Sequence, residues 1–393
     1  MRIDVLAAND SRPAALIAAQ RSLWRVGAIL EAVAVRDVNG DLWLSIDNQK
    51  LPARIASGNS AGPTDGEPLK VRVLRDSPVL ALEVLDEVLD TQISEDALRR
   101  FLPKQTSPTP LLANLSWLFR SDANRGQLPD NILRTLQSMW DALPDAQELT
   151  NAATLQHALQ NSGEFLEAQL ARTVNLPAAQ AQAVNEDFKA QLHALREQLL
   201  ALKLPYTSGN PPPPGPLPVL HGALHAMPPG PASMAALDTM QAKLNELKQQ
   251  TEGTLARINT TQLLNGEAAH QGVVACLVEV PIRNNDRAEL LRFKFERNAK
   301  PGAGGEAGWS VEVALDLGMQ GALHAHIGLL GTRLNVRLRS DSPQLVSELT
   351  RQLDTLRASL EQQGLKVDQL VCLHGNPVDD AGARLNPLLD IHA

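Results

Sequence analysis

The chain has 393 residues, enough for two or three domains, because one hydrophobic core seldom extends beyond about 250–300 residues. Its net charge of -8 and aromatic content of 3% argue against a dedicated nucleic-acid-binding protein, which needs clustered cations and stacking rings. The two cysteines are too few for a disulfide framework or a thiolate zinc site, which favours synthesis in the cytoplasm.

The N-terminal region does not resemble a cleavable secretory signal, because it has an early Asp4 and no unbroken apolar run. We interpret residues 1–23 as an N-terminal segment and a candidate export signal. No stretch of about 18 residues is both apolar and free of charge, so we expect no transmembrane helix and no membrane insertion.

Residues 24–86 alternate between apolar and polar in five short runs separated by turn sequences. This pattern predicts a small β-barrel-like domain. An oligonucleotide-binding barrel is one interpretation. The stretch has seven Lys and Arg against nine Asp and Glu, however, and only Trp24 and Trp43 to stack on bases. Nucleic-acid binding is therefore the less favoured alternative.

Residues 87–204 change to a helical period. The spacing within this region predicts one helix with a single apolar stripe that packs on its neighbours, formed by Phe188, Leu192, Leu195, Leu199 and Leu202. Ten prolines follow in residues 205–232, which predicts an extended, semi-rigid linker and a domain boundary. His221 and His225 lie four residues apart in this linker, but without a third ligand they do not indicate a metal site.

An amphipathic helix is predicted over residues 233–265, with near-heptad spacing that permits self-association and with Gly253 as its weak point. Alternation returns in residues 266–376, which we interpret as a C-terminal domain, followed by a tail at 377–393. The Gly-rich segment 298–308 lacks the Lys-Ser/Thr pair and the following helix of a phosphate loop, so it predicts a flexible hairpin.

The most regular stretch of the C-terminal domain predicts an antiparallel hairpin with one buried and one solvated face. The alternation places His324 and His326 on the solvated face of the first strand, together with Arg333, Arg337 and Arg339 on the second. A third ligand is missing, so solvated histidines are favoured over a metal site. A helix with Asp341 or Ser342 at its N-cap and a stop at Gly364 then leads to a final strand, so that a helix crosses one sheet face.

These elements together predict an α+β multidomain protein. It has a small N-terminal β-barrel-like domain, a helical middle region and a Pro-rich linker. The C-terminal domain is α/β and sandwich-like, with an antiparallel hairpin and a crossover helix.

The C-terminal pattern resembles that of flagellar hook-length control proteins, over about 60 residues. The matching positions are Leu315, Gly321, Leu323, Ile327, Leu334, Val336, Leu345, Leu349, Leu353, Leu356, Leu360, Gly364 and Leu365. Many family members have a Pro and a Leu where this chain has Leu317 and Gln320, and Ala325 is smaller than usual. These departures concern the loop that leads into the hairpin.

The resemblance implies a protein that is exported by the flagellar type III apparatus and acts as a hook-length gauge. It implies a switch of export from hook-type to filament-type subunits, through contact with the cytoplasmic domain of the export-gate switch protein. Hook and hook-cap subunits are further candidate partners. Neither catalysis nor a cofactor is implied. The candidate partner-binding residues are His324, His326, Arg333, Arg337, Arg339, Arg351 and Arg357.

Other functions remain alternatives. A cytoplasmic interaction protein of the same family would need no export. A nucleic-acid-binding protein would use the N-terminal barrel. An enzyme is disfavoured, because "NSGEF" around Ser162 lacks the Gly that a nucleophile elbow requires and no other catalytic set is evident.

Overall fold

The computed structural model mixes helices and strands and divides into two compact units, Met1–Asp96 and Ala97–Ala393. It describes residues 2–5, 29–37, 41–46, 49–57, 63, 66, 68–75, 80–85, 96–126, 128–173, 185–204, 214–218, 220, 222–270, 274–298 and 308–377. The Gly-rich segment 299–307, His221 and the tail from residue 378 lie outside the described residues.

The first unit contains six antiparallel strands. They are β1 (Arg2–Val5), β2 (Ile29–Arg36), β3 (Leu42–Ile46), β4 (Gln49–Ser57), β5 (Pro68–Arg75) and β6 (Leu80–Leu85). β1 pairs with both β4 and β6, so the order β1-β4-β3-β2-β5-β6 closes on itself. Alternate residues such as Ala34, Leu44 and Val71 fill the interior. The five-strand prediction missed β1, which lies within the segment interpreted as an export signal.

The structure gives the bounds of eight α-helices in the second unit. They are α1 (Thr109–Arg120), α2 (Asp122–Arg125), α3 (Asp130–Ala142), α4 (Ala152–Gln160), α5 (Leu166–Thr173), α6 (Phe188–Ala201), α7 (Met240–His270) and α8 (Pro343–Gln362). Leucines of α1, α3, α6 and α7 share one core. The predicted stripe of α6 is buried at four positions, but Leu202 follows the end of the helix and is exposed.

The helix predicted over 233–265 begins later and ends later than expected, because Ser233–Ala236 form a 3-10 turn and α7 runs from Met240 to His270. Its near-heptad residues Leu244, Leu247 and Leu255 are buried in the core of the chain itself. They are therefore occupied by internal packing and are not free for a coiled coil.

A six-stranded sheet completes the second unit. Its strands are β7 (Ala275–Asn284), β8 (Arg287–Asn298), β9 (Gly308–Asp316), β10 (Ala322–Leu330), β11 (Arg333–Ser340) and β12 (Lys366–His374). The order is β12-β11-β10-β9-β8-β7, antiparallel except for the parallel pair β11 and β12. The predicted hairpin is confirmed as β10 and β11, and α8 makes the predicted crossover to β12.

The two faces of this sheet differ in chemistry. Apolar residues of β10–β12 pack against α8, while those of β7 and β8 pack near α4, which defines the apolar face. The opposite face carries Glu279, Arg292, Lys294, Glu312 and His324, and we call it the polar face. The stripe predicted for α8 is only partly buried, and Leu356 is exposed.

The Pro-rich segment packs on the second unit where the structure describes it. Residues 214–218, 220 and 222–232 form what we call the strap, and its Leu220, Leu224 and Met227 are buried. Gly230 lies so close to α1 that an added Cβ would be 2.4 Å from the backbone nitrogen of Pro110. The predicted spacer is therefore not what these residues form: they line the polar face instead of separating two domains.

Candidate functional site

The polar face is organised by the register of the six strands. One row of neighbouring positions runs Glu279, Arg292, Ala314, His324, Arg339 and Leu373, and the next runs Leu277, Lys294, Glu312, His326, Arg337 and Val371. Residues in register on adjacent strands have side chains on the same face of a sheet. The predicted histidines and arginines of the hairpin thus belong to a charged and polar layer that spans β7 to β11, with Val371 and Leu373 beside it on β12.

The layer centres on Glu279, which is buried between two guanidinium groups. Glu279 Oε2 lies 2.6 Å from Arg257 Nε of α7, and its Oε1 lies 2.9 Å from Arg292 Nε of β8. Burial acts to raise the pKa of Glu279, but Arg257 and Arg292 outweigh this effect and lower it. The carboxylate is therefore ionised, and the three groups hold α7 against the sheet.

The same layer holds the strap by its backbone. Arg257 Nη1 donates to Pro216 O at 2.7 Å, Arg292 Nη1 to His225 O, and Lys294 Nζ to Gly222 O. In return, the backbone N–H of Leu224 donates to Glu312 Oε2 at 2.7 Å. Prolines in the strap cannot donate backbone hydrogen bonds, and side chains of α7 and the sheet donate to carbonyl oxygens of the strap instead.

His324 is part of this attachment and is not solvated, so its predicted position at a wet surface is wrong. The residue is 7% exposed, and its Nε2 accepts a hydrogen bond from the backbone N–H of Ala226 at 3.0 Å. Because Nε2 accepts, the neutral ring carries its proton on Nδ1. Burial, and then the nearby ring of His225, lower the pKa of His324 to about 4.

His326 is partly buried, and its Nε2 lies 3.1 Å from Ser310 Oγ. Burial lowers its pKa as well. Neither histidine has a metal-ligand set: among the described residues, no group of three or more His, Cys, Asp or Glu could hold a metal ion.

The predicted arginines do not form one surface. Arg333 pairs with Asp368 at 2.7 Å, while the side chains of Arg337 and Arg339 have no ion pair or hydrogen bond with any described residue. Arg351 and Arg357 lie on α8, which packs on the apolar face; Arg351 pairs with Glu348 and Arg357 donates to Val367 O at 3.0 Å. Only Arg333, Arg337 and Arg339 share the polar face.

Sequence reasoning missed the Arg257, Glu279 and Arg292 group. One signal was available, since Glu279, Arg292, Lys294 and Glu312 interrupt strands that are otherwise rich in apolar residues. Charged residues inside buried strands usually have partners, because an unpaired buried charge is costly. The partner on α7 is 22 positions away from Glu279, and the helical period of α7 gives no indication that Arg257 faces inward.

Two cavities lie outside the polar face. One, of about 820 Å³, is polar and contains His157, whose Nε2 lies 3.7 Å from Glu186 Oε2. The other, of about 440 Å³, is apolar and is lined by residues that include Phe165, Phe295 and Trp309. No helix in the described part of the chain is long and apolar enough to cross a membrane.

Comparison with known families gives one match. Residues 301–381 match the family described as flagellar hook-length control protein FliK. Within the described residues this region comprises β9 to β12 and α8, and it does not extend to β7, β8, the helical region or the first unit. No curated protein matches the chain.

Proposed function

We propose that this chain is a flagellar hook-length control protein, exported through the flagellar type III apparatus, whose C-terminal sheet switches export from hook-type to filament-type subunits. Its partner in the switch is the cytoplasmic domain of the export-gate switch protein. Hook and hook-cap subunits are further partners during passage. The role needs recognition surfaces and requires no cofactor.

The family match over residues 301–381 is the observation that carries this proposal. The matched region includes the hairpin β10–β11, the crossover helix α8 and the terminal strand β12. It therefore includes one edge of the described sheet and, beside it, the exposed Arg333 and the partly buried Arg337 and Arg339. A switch protein needs such an accessible surface on a folded module.

A gauge role requires the chain to unfold. Residues 87–265 would span ~27 nm as one helix at ~1.5 Å per residue, and at most ~60 nm when extended at ~3.3 Å per residue. The helices share a core with the strap and the sheet, so lengths of tens of nanometres are reached only after this core opens. A second unit that resists unfolding at the temperature of growth would contradict the gauge role.

The first test is to delete the gene, restore it on a plasmid, and measure hook length by electron microscopy and secreted proteins in the culture medium. We expect overlong hooks without filaments in the deletion strain, and normal hooks and filaments in the restored strain. Removal of residues 266–393 is a poorer test, because α7 packs on β7 and would lose its partner. Hooks of normal length with filaments in the deletion strain would refute the proposal.

The cytoplasmic alternative predicts a different location for the chain. An epitope-tagged chain should appear in the medium while hooks assemble if it is exported. Retention of the tagged chain in the cells, combined with normal hooks in the deletion strain, would favour an interaction protein of the same family that acts in the cytoplasm.

A further inference from the structure

Strand β12 forms an edge of the sheet in the described part of the chain. It has nine residues and pairs with β11 alone among the described residues. A register shift opposite Leu334 and Asn335 interrupts the pairing near Asp368, so the regular part of the edge is Gln369–His374. An exposed edge of this length can add an extended segment from another chain through backbone hydrogen bonds.

The polar face beside this edge is positively charged, and the described residues of the strap make no hydrogen bond to it. Within the described residues, the strap's hydrogen bonds reach His324 on β10 and extend no further. Arg337 and Arg339 lie on the next strand, with no carboxylate partner among the described residues. Their neighbours on β12 are Val371 and Leu373, and Leu373 is 38% exposed.

This combination differs from the rest of the charged layer. Glu279 neutralises Arg257 and Arg292, Glu312 neutralises Lys294, and Asp368 neutralises Arg333. Among the described residues, Arg337 and Arg339 stand out as partly buried residues whose guanidinium groups lack such a carboxylate. A guanidinium group recognises carboxylates in a planar, two-bond geometry, so the missing counter-charge is one that an acidic partner can supply.

The spacing of strands favours a partner in extended conformation. Adjacent strands lie about 4.8 Å apart, so a strand added beyond β12 would be about 10 Å from β11. An extended Arg side chain and a Glu side chain together bridge that distance across Val371 and Leu373. Alternate residues of the added strand would face the same side, so a segment with acidic residues at every second position fits.

A second copy of the chain fits less well. Antiparallel pairing of two β12 strands would put both Arg337–Arg339 rows on the same side of one joined sheet. The residues between the rows would be Gln369, Val371 and Leu373 from each copy, none of which is acidic. The rows would then repel each other without a counter-charge.

We propose that Gln369–His374 accepts an extended acidic segment of a partner protein as a seventh strand, with Arg337 and Arg339 binding its carboxylates. The inference deepens the proposed function by assigning the chemistry of the partner segment, and it rests on that function only for its effect in cells. The binding itself is testable with the purified full chain.

The probe is a fluorescein-labelled peptide of nine residues that alternates Glu and Val, titrated with the full chain and followed by fluorescence anisotropy. We expect saturable binding that weakens as salt increases, and at least about a tenfold loss of affinity in Arg337→Glu/Arg339→Glu. The matched control is Arg134→Glu/Arg196→Glu, which makes the same change of charge at side chains on α3 and α6 and should bind like the original chain. Circular dichroism checks that both variants are folded.

Two further peptides test the mode of binding. A peptide with Lys in place of Glu should not bind. A peptide whose backbone nitrogens are N-methylated on both edges of the strand should also lose binding, since it cannot donate hydrogen bonds to β12. Equal binding of the Glu and Lys peptides, or full binding of the N-methylated peptide, would overturn the proposal. If the full chain forms a dimer in sedimentation and the acidic peptide does not displace the second copy, the edge is assigned to a second copy instead.

The cellular outcome separates this inference from the proposed function. Overlong hooks in the deletion strain, together with normal switching by Arg337→Glu/Arg339→Glu, would uphold the hook-length role and reject the edge as its binding surface. Peptide binding that depends on these arginines, together with normal hooks in the deletion strain, would uphold the edge and reject the hook-length role.

Discussion

Glu279→Gln tests whether the buried charged layer holds the second unit together. The substitution keeps the size of the side chain but removes the charge that compensates Arg257 and Arg292, whose side chains are 1% and 8% exposed. Removal of one member of a buried ion pair leaves an uncompensated charge and costs about 3–5 kcal/mol. We expect a loss of unfolding free energy of that size.

The matched control is Asp368→Asn, which breaks the pair between Arg333 and Asp368. The Arg333 side chain is 46% exposed, so solvent screens this pair, and the expected loss is below about 1 kcal/mol. Urea unfolding of the full chain gives both values. It should be followed by the fluorescence of Trp117 and Trp140, which pack against the core of the second unit.

Hydrogen exchange adds a local measurement to the same test. Arg257 and Arg292 both bind the backbone of the strap, so Glu279→Gln should increase exchange at residues 222–232 before it does so in α8. Losses of similar size in Glu279→Gln and Asp368→Asn, or a strap whose exchange is unchanged, would refute the assignment of a structural role to this layer.

Three further variants test other parts of the second unit. Gly253→Ala should destabilise the protein by about 1–3 kcal/mol, because the added Cβ would lie 2.0 Å from Thr106 Oγ1. Gly266→Ala in the same helix has open space for its Cβ and should stabilise the protein by about 1 kcal/mol. Urea unfolding measures both changes, and equal effects of the two variants would contradict the packing argument. His324 has a folded pKa of about 4, below its ordinary value of 6.5, so its contribution to stability is complete above pH 6.5 and is lost as the pH falls towards 4. His324→Leu should remove that part of the pH dependence in thermal melts between pH 4 and 7.5, and an unchanged profile would count against it. Burial raises the pKa of Asp187 from 3.8 to about 6, so its contribution is complete below pH 3.8 and is lost as the pH rises through 6. Asp187→Asn keeps a side-chain oxygen that accepts from Ala190 N but has no carboxylate to ionise. The variant should therefore be more stable than the original chain at pH 7.5 but not at pH 4. A stability difference between the two proteins that is constant with pH would contradict this.

The sequence alone determined the local elements of the C-terminal region. Alternation at Leu334, Val336 and Leu338 predicted a strand with one buried face, and those three residues are buried against α8. Asp341 or Ser342 and Gly364 predicted the limits of the crossover helix, and the structure selects Ser342 as its N-cap. These predictions succeeded because capping and strand periodicity depend on residues within a few positions of one another.

Only the tertiary structure decided what covers each surface. Alternation says that two faces of a strand differ, but it does not say that the second face is open to solvent. His324 is buried because a segment 98 positions away lies over it, and the prolines that suggested a spacer are compatible with an extended strap on a folded surface. The same limit applies to Arg257 on α7, since the apolar stripe of a helix does not reveal that a strand supplies a carboxylate to it. Long-range contacts of this kind determine which charges are paired, and within the described residues they leave the hairpin side chains of Arg337 and Arg339 without a carboxylate.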